Sequence, residues 1–272
     1  MTLIQSIILG IVQGATEFIP VSSSGHLVLV PYIFGWEIPA QEAFIFDILV
    51  QVATLAAVFA YFWNDLISIA TATLQGILKR KPFQEQNSRL GWYLVLATIP
   101  AGIAALLFKD TLEEAFSNPK WAAFFLLGTA IMLIIAEQFK KRTRQFEEIA
   151  WLDALWIGLF QVLALFPGVS RSGATITGGM SRKLKRPAAA RFSFLMSVPI
   201  MLAAGLLATL DLLQAPHLFT NFPVYLAGFF TAGIVGYLSI RWLLRYLSNR
   251  SLYIFAIYCA LLGLAVLTSI YL

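Results

Sequence analysis

The sequence predicts an all-α polytopic membrane protein: six transmembrane helices plus two re-entrant helical hairpins, arranged as an inverted-topology repeat. Three observations predict it. The 272 residues are 59% hydrophobic and only 12% charged, about half the charged share of a soluble domain. Two apolar segments are interrupted by near-identical Pro/Gly/Ser stretches 148 residues apart. Sixteen of the 19 Lys and Arg residues fall in four short clusters between apolar segments, a pattern that orients membrane proteins. The net charge of +5 therefore reports topology, and nucleic acid is excluded as a partner. The single cysteine, Cys259, excludes an internal disulfide and a cysteine-based metal cage.

The first region, 4–34, is apolar but broken around Pro20. It lacks the basic start of a signal peptide and carries Gln13 and Glu17 before any cleavage point. The break frees backbone N–H and C=O groups, which must be buried in protein or face a water-filled cavity. The region therefore reads as two half-helices joined by a loop, with a pair of kinked ordinary spans as the plainer alternative. Apolar spans follow at 44–63, 91–108 and 121–139. Between the first two, 66–78 reads as an amphipathic helix on the membrane surface. A second broken region, 152–180, repeats the hairpin pattern, and spans at 192–213, 224–240 and 252–272 complete the chain. These lengths are near the ~20 residues that a bilayer requires.

The charges choose between hairpins and full crossings. The clusters lie within 79–89, 140–144, 182–191 and 241–250. If both broken regions return to the side they came from, all four clusters share one face. That face is cytoplasmic by the positive-inside rule, with both termini and the loops 35–43, 109–120 and 211–223 outside. Gly10, Gln13, Phe18, Val21, Ser22, Ser24 and Gly25 match Gly158, Gln161, Phe166, Val169, Ser170, Ser172 and Gly173 at one offset, as Phe44 and Phe46 match Phe192 and Phe194. The chain is thus one integral membrane domain, 1–272, with repeats of about 1–140 and 149–272. Each repeat holds one hairpin and an odd number of spans, so the halves are inverted. Transporters often use this architecture, so an anion-transport site is the alternative to an enzyme.

The chemistry gathers at the two breaks. Gln13 and Glu17 are four apart and share a helix face. Glu17 is an acid in an apolar segment, available for catalysis or for a structural pair with Arg171. Ser22, Ser23 and Ser24 stand where a half-helix starts, a position suited to capping and to anion binding. His26 can act as base, acid or nucleophile. In the second break, Ser170, Arg171, Ser172 and Thr175 surround another helix start. A guanidinium fork matches phosphate oxygens, and an arginine at membrane depth marks a functional site. Two facing helix starts of this kind form a cradle for a diphosphate.

At these residues the chain resembles the undecaprenyl-diphosphate phosphatase family, also called bacitracin-resistance proteins. Gln13 and Glu17 match its acidic first motif, although some members have Glu where Gln13 stands. Pro20-Val21-Ser22-Ser23-Ser24-Gly25-His26 matches its serine–histidine segment. Pro167-Gly168-Val169-Ser170-Arg171-Ser172-Gly173-Ala174-Thr175 matches its arginine motif in full. The resemblance implies hydrolysis of undecaprenyl diphosphate to the monophosphate in the bacterial plasma (inner) membrane. That reaction recycles the lipid carrier for cell-wall synthesis and confers bacitracin resistance; the alternative is a transporter or flippase of polyprenyl phosphates or a small anion. The expected catalytic set is Glu17, Ser23, His26 and Arg171, with Ser23, His26 or water as nucleophile. Ser22, Ser24, Ser170, Ser172 and Thr175 are expected on the phosphates. A divalent cation, Mg²⁺ or Ca²⁺, would be held by Glu17 and Gln13, with no organic cofactor. The partners are a polyprenyl diphosphate and membrane lipids, and the site is expected to open outward, on the side the first hairpin enters from.

Overall fold

The structure, a computed structural model, describes residues 1–116, 118–212 and 221–272. Its helices are α1 (Leu3–Phe18), α2 (Ser23–Phe34), α3 (Ala40–Tyr61), α4 (Trp63–Leu78), α5 (Gln86–Leu107), α6 (Lys109–Phe116), α7 (Pro119–Gln138), α8 (Trp151–Leu163), α9 (Arg171–Ser181), α10 (Arg186–Leu212), α11 (Phe222–Asn249) and α12 (Tyr253–Tyr271). Among the described residues the only sheet-like contact is an isolated bridge between Arg144 and Leu184.

Six helices (α3, α5, α7, α10, α11 and α12) are long and apolar enough to cross a membrane, which makes the chain a multi-pass membrane protein. They coincide with the six expected spans. Several run past the apolar stretch into polar sequence: α5 starts at Gln86, α10 at Arg186, and α11 ends at Asn249. Hydropathy marks the part of a helix that meets lipid, whereas backbone hydrogen bonding continues until a cap or a turn stops it. The expected end at Leu213 and most of the loop that follows lie outside the described residues. The amphipathic stretch is α4, with Trp63, Ile67, Leu74, Ile77 and Leu78 exposed along it.

The two broken regions form the helix pairs α1/α2 and α8/α9. The longest of these four helices has 16 residues, about 24 Å at ~1.5 Å per residue, short of the ~30 Å hydrocarbon core. Small residues set how closely the pairs pack. A Cβ at Gly10 of α1 would stand 2.6 Å from the Gly228 carbonyl oxygen of α11, and one at Gly158 of α8 would stand 2.5 Å from that of Ala97 in α5. Gly10 and Gly158 are a matched pair of the repeat, and each brings its helix against a neighbour's backbone. Between these packings, α7 lies against α12, with Gly263 facing the Ala123 carbonyl.

Ion pairs define the ends. Asp153, fully buried at the start of α8, takes Arg144 at 2.6 Å and Arg182 at 2.7 Å, and accepts the Ala150 N–H at 2.9 Å. Glu137, at the end of α7, takes Arg142 and Arg186 and accepts the Leu252 N–H. Arg191 pairs with Asp65 at the start of α4, and Gln86 donates to the Glu147 carbonyl. These contacts collect the four basic clusters at one end of the bundle. At the other end the Met1 ammonium pairs with Glu42. Thus α1 starts at the end away from the basic clusters and α8 starts among them.

Asp153 is the test of this clamp. Removing one partner of a buried pair leaves the others uncompensated, at a cost of about 3–5 kcal/mol. Asp153→Ala is expected to lower the thermal unfolding midpoint of the detergent-solubilised protein clearly; an unchanged midpoint would show that the cluster holds nothing together.

Candidate active site

The first half of the site is built by the end of α1. Gln13 and Glu17, one turn apart, face the same way, and Gln13 Nε2 donates to Glu17 Oε2 at 3.0 Å. Pro20 lacks an N–H and stops the helix from continuing. The chain reverses at Ser22, which holds φ at 71°, an uncommon value for a residue with a Cβ. Two contacts hold Ser22 there: its hydroxyl accepts the Gly25 N–H at 3.2 Å as the cap of α2, and its carbonyl lies 2.7 Å from His26 Nδ1. This turn delivers Ser23, the first residue of α2, to Glu17, and Ser23 Oγ donates to Glu17 Oε2 at 2.6 Å.

The second half repeats the cap and changes the residue after it. Ser170 Oγ accepts the Gly173 N–H at 3.1 Å, and its hydroxyl is 3.1 Å from that of Ser172; the matching Ser22–Ser24 distance is 3.4 Å. Arg171 stands where the first half has Ser23. Its Nη2 donates to Glu17 Oε1 at 2.6 Å. Glu17 therefore receives the arginine on one oxygen and the serine and glutamine on the other. Arg171 Nη1 and Gln13 Oε1 are buried without a protein partner; of the two residues, only Arg171 lines the cavity over this junction. The two turns touch: a Cβ on Gly25 would lie 3.1 Å from Gly168 Cα.

A cavity of about 360 Å³ lies over this junction, lined on its polar side by Glu17, Ser22, Ser23, Ser24, Ser170 and Arg171. Its apolar wall includes Leu112 of α6, Leu165, and Ile200, Met201 and Ala204 of α10. These α6 and α10 residues lie toward the end opposite the basic clusters. Among the described residues no group of three or more His, Cys, Asp or Glu can hold a metal ion. Glu17 lines the cavity and Gln13 does not, so the cavity offers one carboxylate of the expected pair, enough only for a cation that also takes oxygens from a phosphate ligand.

Three expected site residues have other work. His26 does not line the cavity. Its Nδ1 must donate to the Ser22 carbonyl, and its Nε2 lies 2.7 Å from the Tyr258 hydroxyl, so both ring nitrogens are engaged. Thr175 points into the protein, donating to the Arg171 carbonyl at 2.7 Å and meeting the Ser193 hydroxyl at 2.6 Å. Ser172 is buried behind Ser170. Sequence reasoning missed the braces: Tyr258 of α12 on the first turn, and Thr129 of α7, which accepts the Ser170 N–H and donates to the Gly168 carbonyl, on the second. No local pattern marks either residue. It also missed Gln51 of α3, which lines the cavity; a polar residue inside an apolar span was the available signal.

A family model described as bacitracin resistance protein BacA matches residues 6–265, which includes both turns. A Chlorobium phaeovibrioides protein named undecaprenyl-diphosphatase is 45% identical over 277 residues, covering 98% of this chain and 96% of its own. One of the same name from Chlorobium phaeobacteroides is 42% identical over 280 residues, covering 99% and 98%. A third, from Thermomicrobium roseum, is 40% identical over 274 residues, covering 98% of each.

Gly168 tests the geometry of the junction. Its φ is 94°, and a Cβ would fall 2.1 Å from the Ala122 carbonyl oxygen, so only glycine fits. Gly168→Ala is expected to displace Arg171 and to cut the yield of folded protein, read by monodispersity in detergent. Wild-type yield together with wild-type activity would contradict this placement of the turn.

Proposed function

The chain belongs to the bacitracin resistance protein BacA family and hydrolyses undecaprenyl diphosphate to undecaprenyl phosphate and phosphate; from that premise we propose that Ser23 is the nucleophile, with Glu17 as its base. The reaction recycles the lipid carrier of cell-wall synthesis and confers bacitracin resistance. The relatives carry the name of a hydrolase, which favours an enzyme over a transporter.

The observation that carries the proposal is the 2.6 Å hydrogen bond from Ser23 Oγ to Glu17 Oε2. A serine needs an adjacent base to become nucleophilic, and this carboxylate is within reach. The terminal phosphate sits against Arg171 Nη1, the hydroxyls of Ser22, Ser24 and Ser170, and the free N–H groups at the starts of α2 and α9. Ser23 Oγ attacks the terminal phosphorus and passes its proton to Glu17. The bond from that phosphorus to the bridging oxygen breaks, and its electron pair leaves with undecaprenyl phosphate, which takes the proton from Glu17. Water then attacks the phosphoserine, losing a proton to Glu17. Phosphate departs, and Ser23 Oγ recovers its proton from Glu17. His26 is a positioning residue that holds Ser22, and through it Ser23, in place. A divalent cation would be held by Glu17 and the substrate's own oxygens, where it would neutralise phosphate charge.

The same reading sets the membrane arrangement. Helix pairs too short to cross, starting from opposite ends, act as re-entrant hairpins in a bacterial inner membrane, and the repeats 1–140 and 149–272 are inverted. The basic end faces the cytoplasm by the positive-inside rule. The termini and the cavity then face outward, and the prenyl tail runs past Leu165, Ile200 and Met201 toward lipid.

Phosphate release from a polyprenyl diphosphate, with acid-quench trapping of the phosphoenzyme, tests the roles. Ser23→Ala is expected to abolish the trapped species and to lower kcat by roughly 10³-fold or more. Arg171→Ala should lose roughly 10²–10³-fold. Near-normal turnover by Ser23→Ala would move the attack to water. Tyr258→Phe, which strips His26 Nε2 of its partner, should lower kcat several-fold with little change in KM, whereas a purely structural tyrosine would change only the amount of folded enzyme.

A further inference from the structure

We propose that the basic end of α11 binds the headgroup of an anionic glycerophospholipid of the surrounding bilayer, of the phosphatidylglycerol type. The first observation is a contrast in pairing. At this end Arg142, Arg144, Arg182, Arg186 and Arg191 each meet a carboxylate of Glu137, Asp153 or Asp65. Among the described residues the side chains of Arg241, Arg245 and Arg250, like those of Arg80 and Arg89, make no ion pair and no hydrogen bond, and it is their surroundings that set the α11 group apart. Arg241 and Arg245 stand one turn apart, a spacing at which like charges repel, and the protein supplies no acid between them.

The second observation is the shape around those charges. Arg245 and Arg250 line a cavity of about 320 Å³ with Trp242, Tyr246 and Asn249. Its floor is aromatic: Trp242 stacks on Tyr246 at 5.1 Å, and Phe255 of α12 meets Tyr246 at 5.3 Å and Trp242 at 6.2 Å. Above the floor, toward the middle of the helix, Leu238 and Ile234 continue the same face and are exposed.

The third is depth. The 28 residues of α11 extend about 42 Å, against a hydrocarbon core of ~30 Å. Its last turns therefore stand at headgroup level, where tryptophan and tyrosine anchor and basic pockets attract anionic lipids. Two guanidinium forks match phosphodiester oxygens, and Ile234 and Leu238 give an acyl chain an apolar track. An amine-headed zwitterionic lipid brings an ammonium that the unpaired arginines repel, so the fit favours a net negative headgroup. The site shares no residue with the cavity over Glu17 and Arg171.

Native mass spectrometry of the detergent-purified protein, given equimolar phosphatidylglycerol and phosphatidylethanolamine of matched chains, tests the proposal. Wild type is expected to retain phosphatidylglycerol selectively. Arg245→Ala/Arg250→Ala should lose that selectivity by roughly tenfold or more while releasing phosphate at the wild-type rate in detergent, which shows that it is folded. Arg245→Lys/Arg250→Lys should keep part of the selectivity. Equal retention of the two lipids by wild type, or unchanged retention by the alanine variant, overturns the site and leaves these arginines as topology determinants only. In a second mixture of phosphatidylglycerol with an equimolar polyprenyl monophosphate, preferential retention of the monophosphate overturns it in favour of the product lipid.

Discussion

One carboxylate joins the two halves of this protein. Glu17 receives Arg171 on one oxygen and Ser23 and Gln13 on the other. A lone charge at this depth is costly, and so is a lone guanidinium; facing each other, the two offset that cost. The pair fixes α1 against α9 across 154 residues of sequence. It also brings the serine and the arginine to the same cavity from separate turns. The arginine keeps Nη1 free of protein partners while Nη2 holds the carboxylate.

The turns that carry these residues are held from outside themselves. The first turn belongs to the first half, yet it is braced by Tyr258 of α12, through His26, and lies 3.9 Å from the Cys259 sulfur. The second belongs to the second half and is braced by Thr129 of α7. Each turn is thus secured by a helix from the other half of the chain. A residue at a positive φ such as Ser22 persists only where its surroundings over-determine it, and this exchange of braces supplies that. It holds Ser23 at hydrogen-bond distance from Glu17.

Much of this was legible in the sequence. The six spans follow from apolar length, and the breaks follow from Pro20 and Pro167-Gly168. The helix caps follow from Ser22 and Ser170, since the cap serine is a local signal. The pairing of Glu17 with Arg171 was readable as an option, because buried charges need partners. What was not legible is which face of each half-helix packs against a neighbour. Thr175 sits one turn from Arg171 and was expected on phosphate, but it faces Ser193. His26 stands beside the serines in sequence, yet Tyr258 and the Ser22 carbonyl occupy its ring. Such outcomes depend on which helix packs on which face, and the local pattern does not encode that.

The claim at the centre is that Glu17 and Arg171 act as one unit built from two turns. A double-mutant cycle on phosphate release measures it directly, with Glu17→Gln, Arg171→Gln and the double variant assayed under identical conditions. Residues that act as a unit are strongly non-additive, so the double variant is expected to lose little more than the worse single variant. Losses that simply multiply would contradict the account, because they would mean that the two residues reach the substrate independently.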